Sequence, residues 1–288
     1  MLIQISLADV VLEITSPRDL DLEDRILPFL CAGRAPDVRI SFSWDWERLS
    51  QPVSQPVGTD LLQNYYRENG LYYCATRGGP KGWVSCAVYQ EDLREICCFI
   101  HEKPFLRLPH SLGLLLRYLP MRQILARFSV LFVHAAAAAV GSGGLLFTAP
   151  SGTGKTTQAR LWQSCRGANI LCNDRTLLHW QGDQWLFSGY PVDGSDPVST
   201  AARARLSAVV VLRQAPENRI VRLSPSEALV ALMGQMVMDN WDSAQRIRIT
   251  QELLRLYQDL PIYRLSCTPD QRSVEVLETQ LKKDGVTL

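Results

Sequence analysis

The sequence predicts a β-rich N-terminal domain over residues 1–106 followed by a mixed α/β domain over residues 107–288. Three observations carry that expectation. Residues 1–106 fall into short runs heavy in aromatic and β-branched side chains, separated by turn clusters such as TRGGPKG. From LPHSLGLLLRYLPMRQILARF onward the apolar spacing becomes helical. From residue 129 to the end, apolar strands alternate with helices, the pattern of an α/β sheet.

In chain order, MLIQISLADVVLEI reads as a first strand, LEDRILPFL as a short helix, and DVRISFSW, LYYCAT and WVSCAVY as further strands. ERLSQPVSQPVGTD is a Pro/Ser/Gln-rich loop. The helical stretch after residue 106 breaks or kinks at Pro120. Next, VLFVHAAAAAV and LLFTA, joined by GSGG, predict two antiparallel strands. Alanine is the best helix former, yet the short glycine-rich connection and the loop after LLFTA favour strands. TTQARLWQSC is a helix, and NILCND and ARLSAVVVLRQ are buried strands. SPSEALVALMGQM opens with a capping box, Ser224 and Glu227 around Pro225. TPDQRSVEVLETQLKK opens in the same way and forms the last helix.

Composition narrows the function. Apolar residues make up 47% of the 288 and charged residues 20%, a globular balance, and the net charge of +1 offers no broad field for nucleic acid or an anionic membrane. The eight cysteines show no C-x-x-C pair and no zinc spacing, so they read as reduced thiols. No apolar run is long enough to span a bilayer, and the start has no basic leader, which predicts a cytoplasmic protein.

The motif that carries chemistry is A-P-S-G-T-G-K-T, residues 149–156, between a strand and a helix. It fits the phosphate loop G-x-x-x-x-G-K-[ST] with Ala149 at the first glycine position. Ser151, Gly152, Thr153, Gly154, Lys155, Thr156 and Thr157 are the expected phosphate-binding residues, because backbone N–H groups and a helix N-terminus hold anions. Lys155 supplies a mobile charge, and Thr156 a hydroxyl for Mg²⁺. Asp174, at the end of the next strand, is the expected second metal ligand, with Arg175 beside it to counter the acid or contact a phosphate. His134 lies in the strand expected to neighbour the loop's own strand. A lone histidine there reads either as a packed core residue or as a site residue.

VHAAAAAV, GGLLFTAPSGTGKTTQARLW, ILCNDRTLL and GYPVDGSDP together resemble the catalytic domain of HPr kinase/phosphorylase and its relatives, which share a core with phosphoenolpyruvate carboxykinase. The sequence is also similar to the kinase homologues of clusters that make ribosomal peptides, including lasso-peptide precursor kinases. The resemblance covers about residues 129 to 200 well and the remainder loosely, and residues 1–106 do not resemble the N-terminal domain of HPr kinase itself. It implies a phosphate-loop kinase fold and a site of three parts: the strand histidine at His134, the loop from Ala149 to Thr156, and an acidic pair at Asn173 and Asp174. It further implies ATP, or another nucleoside triphosphate, and Mg²⁺ as cofactors.

One position departs from the family. Its relatives carry aspartate at the first place of the pair, as base toward the acceptor hydroxyl, and here that residue is Asn173, which accepts no proton. His134 or Asp193 of PVDGSDP takes over as base, or positioning suffices because phosphoryl transfer is loose, or transfer has been lost. The expected activity is ATP/Mg²⁺-dependent transfer to a Ser or Thr hydroxyl of a peptide or small protein, with the N-terminal domain docking the substrate. Alternatives are a small-molecule hydroxyl kinase, a carboxykinase acting on oxaloacetate, and a nucleotide-binding regulator that transfers nothing. The sequence leaves homo-oligomerisation open.

Overall fold

The computed structural model describes residues 1–105, 110–192 and 198–288. They form two compact units, Met1–Phe128 with Met238–Arg246, and Ser129–Val237 with Ile247–Leu288.

The first unit is built on nine strands: β1 (Leu2–Leu7), β2 (Val10–Thr15), β3 (Leu30–Cys31), β4 (Val38–Ser43), β5 (Gly58–Thr59), β6 (Gln63–Glu68), β7 (Leu71–Arg77), β8 (Trp83–Tyr89) and β9 (Glu95–Ile100). Their order is β3-β1-β2-β4-β9-β8-β7-β6-β5. β2, β4 and β9 run parallel, and the remaining pairs are antiparallel. The single first strand expected from the sequence is instead a hairpin, turning at Ala8 and Asp9 with φ of 49° and 69°. Two consecutive positive φ values give the twist-matched two-residue turn, which glycine or asparagine ordinarily signals. The helix expected over LEDRILPFL shrinks to one 3₁₀ turn, Leu27–Phe29. Proline is confined to a first helical turn, and here the chain passes directly into β3.

Helices α1 (Leu112–Leu116) and α2 (Met121–Arg127) break at Pro120 as expected. The Ser111 hydroxyl caps α1 by accepting from Leu114 N at 3.2 Å. Both helices group with the first unit, so the division falls at Phe128/Ser129 rather than after residue 106. Their fully buried Leu112, Leu116, Ile124 and Leu125 belong to its interior. A buried polar network ties Met238–Arg246 to the same unit. Arg122 Nε meets Asp239 Oδ1 at 3.1 Å, Gln123 Nε2 donates to Asp239 Oδ2 at 3.4 Å, and Tyr89 Oη donates to Gln123 Oε1 at 2.7 Å. Burial lifts the Asp239 carboxyl to about 6 although Arg122 opposes it.

The second unit contains β10 (Leu131–Val140), β11 (Gly143–Thr148), α3 (Lys155–Arg166), β12 (Asn169–Cys172), β13 (Arg175–Gln181), β14 (Gln184–Gly189), β15 (Ala204–Arg205), β16 (Ala208–Gln214), β17 (Arg219–Arg222), α4 (Pro225–Met233), β18 (Ile262–Cys267) and α6 (Gln271–Lys283). Helix α5 (Ser243–Asp259) begins in the first unit's segment and runs into this one. The strand order is β15-β14-β13-β10-β11-β16-β18-β17, with β12 also on β10. β11, β16 and β18 are parallel. The five alanines form strand, as the glycine-rich connection implied, and Ala135 to Ala138 are fully buried. Ala136 and Ala138 share one core cluster with Phe147, Ala159 and Trp162, so small strand residues and a large helix residue fill the layer together. The capping box at Ser224 forms, with Ser224 N donating to Glu227 Oε2 at 3.0 Å. Helix α6 differs from expectation: its cap is Asp270, which accepts from Arg272 N at 3.0 Å. No helix among the described residues is long and apolar enough to cross a membrane.

Candidate phosphate-binding site

Strand β11 ends at Thr148 and α3 begins at Lys155, so residues 149–154 form a loop beyond the strand's C-terminal end. Gly152 and Gly154 hold φ of 78° and 109°. A Cβ at either would meet nothing within 4 Å, so conformation rather than space demands glycine there. Such backbone produces the concavity of N–H groups that holds anions. Gly154 is the N-cap of α3 and offers no side-chain cap, which leaves the first-turn N–H groups and the positive end of the helix for a ligand. Gln214 at the end of β16 steadies the loop by donating to Gly152 O at 3.2 Å.

Lys155 is 7% exposed and donates to Ala149 O at 2.9 Å and Pro150 O at 3.3 Å. Burial draws its ammonium below the usual lysine value, while Asp174 opposes and Arg175 adds to the shift. Ala149 is fully buried in the core cluster, which accounts for a methyl group where the motif has glycine.

The histidine and the carboxylate meet through the sheet. β10 pairs with β12 at Ala137 opposite Cys172, and with β13 at His134 opposite Arg175, in one continuous register. Asn173 and Asp174 fill the interval, and Ala135 N donates to Asp174 O at 3.1 Å. His134 Nε2 lies 2.9 Å from Asp174 Oδ1, with both side chains about a quarter exposed or slightly less. Burial and the cations Lys155 and Arg175 lower the His134 pKa, and Asp174 opposes them. The imidazole is therefore neutral at neutral pH. His134, Lys155, Asp174 and Arg175 lie in one another's field.

Thr156 is half-buried on the first turn of α3, Ser151 and Thr157 are exposed, and Thr153 is half-buried with its N donating to Pro150 O at 3.3 Å. Asn173 is only 3% exposed. Asp193 lies outside the described residues. The hydroxyl of Thr156 and the carboxylate of Asp174 are hard oxygen donors suited to Mg²⁺. No group of three or more His, Cys, Asp or Glu among the described residues forms a protein-only metal cage, and Mg²⁺ characteristically takes few protein ligands.

Two contributors escape a reading of the sequence. Gln214 gives no motif, being two residues past an apolar run. Thr148 donates from Oγ1 to His134 O at 2.9 Å, joining the loop's strand to the histidine's strand. Its only signal is a polar residue at the end of a buried strand.

No curated protein matches the chain in sequence. Among solved structures, an Hpr(Ser) kinase/phosphatase from Coxiella burnetii is similar over 54% of this chain and 93% of that one, with 13% identity and a TM-score of 0.31. Residues 112–282, more than half of the chain, match the family model described as SynChlorMet cassette protein ScmC, and the chain belongs to that family.

Proposed function

We propose that the protein is a phosphotransferase that moves the γ-phosphoryl group of ATP, or of another nucleoside triphosphate, to a Ser or Thr hydroxyl of a peptide or small protein, on a phosphate-loop kinase fold of the HPr kinase type. One observation carries this reading: Lys155, at the N-terminus of α3, shares a field with the hydrogen-bonded pair of His134 and Asp174. A loop that only bound nucleotide needs no histidine oriented by a carboxylate beside it.

In this reading the loop and the α3 N-terminus bind the phosphates, and Lys155 leaves the Ala149 and Pro150 carbonyls to follow the transferring group. The acceptor oxygen bonds to the γ-phosphorus as the bond to the bridging oxygen breaks. The leaving diphosphate keeps that electron pair. The acceptor's proton passes to His134, whose ring Asp174 orients. Thr156 and Asp174 would hold Mg²⁺, which when bound neutralises phosphate charge. Arg175 stands opposite His134 to balance the carboxylate or contact a phosphate. A cassette protein fits an acceptor peptide encoded alongside it.

The reading as a nucleotide-binding regulator has one observation in its favour, the buried amide of Asn173 in place of a carboxylate. Lys155→Ala separates the two. Under the kinase reading, Mg²⁺-dependent ADP release in the presence of an acceptor peptide falls about 10²- to 10³-fold, as when one donor to a developing charge is removed. Unchanged release in Lys155→Ala would dismiss this site.

A further inference from the structure

The three parallel strands of the first unit, β2, β4 and β9, lie side by side in its sheet. Beyond their C-terminal ends the chain carries Arg18, residues 44–47 and residues 101–103, which line a crevice of about 420 Å³. That volume is ordinary for a ligand pocket, and the crevice outside the carboxyl ends of parallel strands is where open sheets bind ligands.

Its chemistry suits a cation. Arg18 Cζ lies 4.8 Å from the centre of the Trp44 ring while Nη1 donates to Glu102 Oε2 at 2.8 Å, so the crevice already seats one guanidinium between an indole and a carboxylate. Glu102 is further engaged by His110 at 2.9 Å. Trp46 stacks on His101, with ring centres 4.3 Å apart and planes 4° apart, which fixes the second indole in the wall. Asp45 and Glu47 flank Trp46. Glu47 has only a loose contact with Lys103, 3.4 Å between side chains 77% and 80% exposed. Such a pair is easily exchanged for another. The Trp46 indole and the carboxylates of Asp45 and Glu47 are thus the groups that a second cation would meet.

We propose that this crevice docks an arginine or lysine side chain of a peptide, and that this peptide is the phosphoryl acceptor. The second statement rests on the kinase reading and the first does not. Short fluorescein-labelled peptides differing only in a central arginine, lysine, leucine or glutamate test the docking by anisotropy at low salt. The arginine and lysine peptides are expected to bind saturably, at least about tenfold more tightly than the other two. Asp45→Asn with Glu47→Gln, at exposed positions that leave the fold intact, should remove that preference, and Trp46→Ala should weaken binding about tenfold. Lys155→Ala should bind all four peptides as the wild type does, so loss of transfer and loss of docking are read separately. Equal binding of the four peptides, no saturable binding of any, or a preference that survives both variants would overturn the proposal.

Discussion

Each of the two units has a nine-stranded sheet that contains a parallel trio, β2-β4-β9 in one and β11-β16-β18 in the other. The units differ in how the chain leaves the trio. In the second unit it leaves β11 through glycines at positive φ into a twelve-residue helix, and the candidate anion-binding part of the site is made of backbone N–H groups and one lysine. In the first it leaves β2, β4 and β9 into aromatic and charged side chains, with only a single 3₁₀ turn, Trp46–Arg48, and no α-helix starting at those strand ends among the described residues. On the two proposals above, one architecture would serve anion binding through the main chain and cation binding through side chains. The same difference separates a site that a motif betrays from one that it does not.

The largest effect expected is on the chemistry of the second unit. His134→Gln should lower turnover about 10²- to 10⁴-fold while nucleotide affinity stays nearly intact. Because burial, Lys155 and Arg175 lower the His134 pKa, the neutral base is the major form above a pH that lies below the usual histidine value. Wild-type activity should therefore rise with pH over an acidic limb whose midpoint lies below about 6.5. A pH–rate profile of His134→Gln that retains this limb would move the base to another residue.

Two glycines extend the contrast between the units, because they are required for opposite reasons. Gly154 has open space around it and a φ of 109° that no L-residue holds without strain. Gly154→Ala should cost about 1–3 kcal/mol of loop strain and weaken nucleotide binding about tenfold or more by calorimetry. Gly58 in the first unit has no such φ, but a Cβ there would collide with the ring of Trp241, which also packs against Tyr65 with centres 4.8 Å apart. Gly58→Ala should cost about 1–3 kcal/mol in thermal unfolding by overpacking and leave nucleotide affinity unchanged. A Gly58→Ala protein that unfolds like the wild type would show that Trp241 yields freely.

The second unit is easier to read from sequence than the first for a physical reason. Anion chemistry constrains residue type and spacing together, so residues 149–156 announce the loop, and the run from Leu131 announces the strand beside it. The β6-β7 turn at Asn69 and Gly70, with φ of 51° and 79°, carries an equally direct local signal. The β1-β2 turn at Ala8 and Asp9 carries a weaker one, because aspartate tolerates positive φ but alanine does not favour it. The contact of His134 with Asp174 depends on the register of β10 against β12 and β13, which no local pattern states. The crevice of the first unit joins residues from three separate strand ends and has no spacing at all.

Whether the loop, Lys155 and the pair of His134 with Asp174 transfer phosphate is decided by mass spectrometry of candidate peptides incubated with ATP and Mg²⁺, starting with one encoded beside this gene. One added phosphate on a Ser or Thr of the peptide is expected with wild-type protein, and none with Lys155→Ala. Nucleotide bound with Mg²⁺ but no phosphate on any hydroxyl-bearing peptide, with either protein, would contradict transfer and leave a nucleotide-binding regulator.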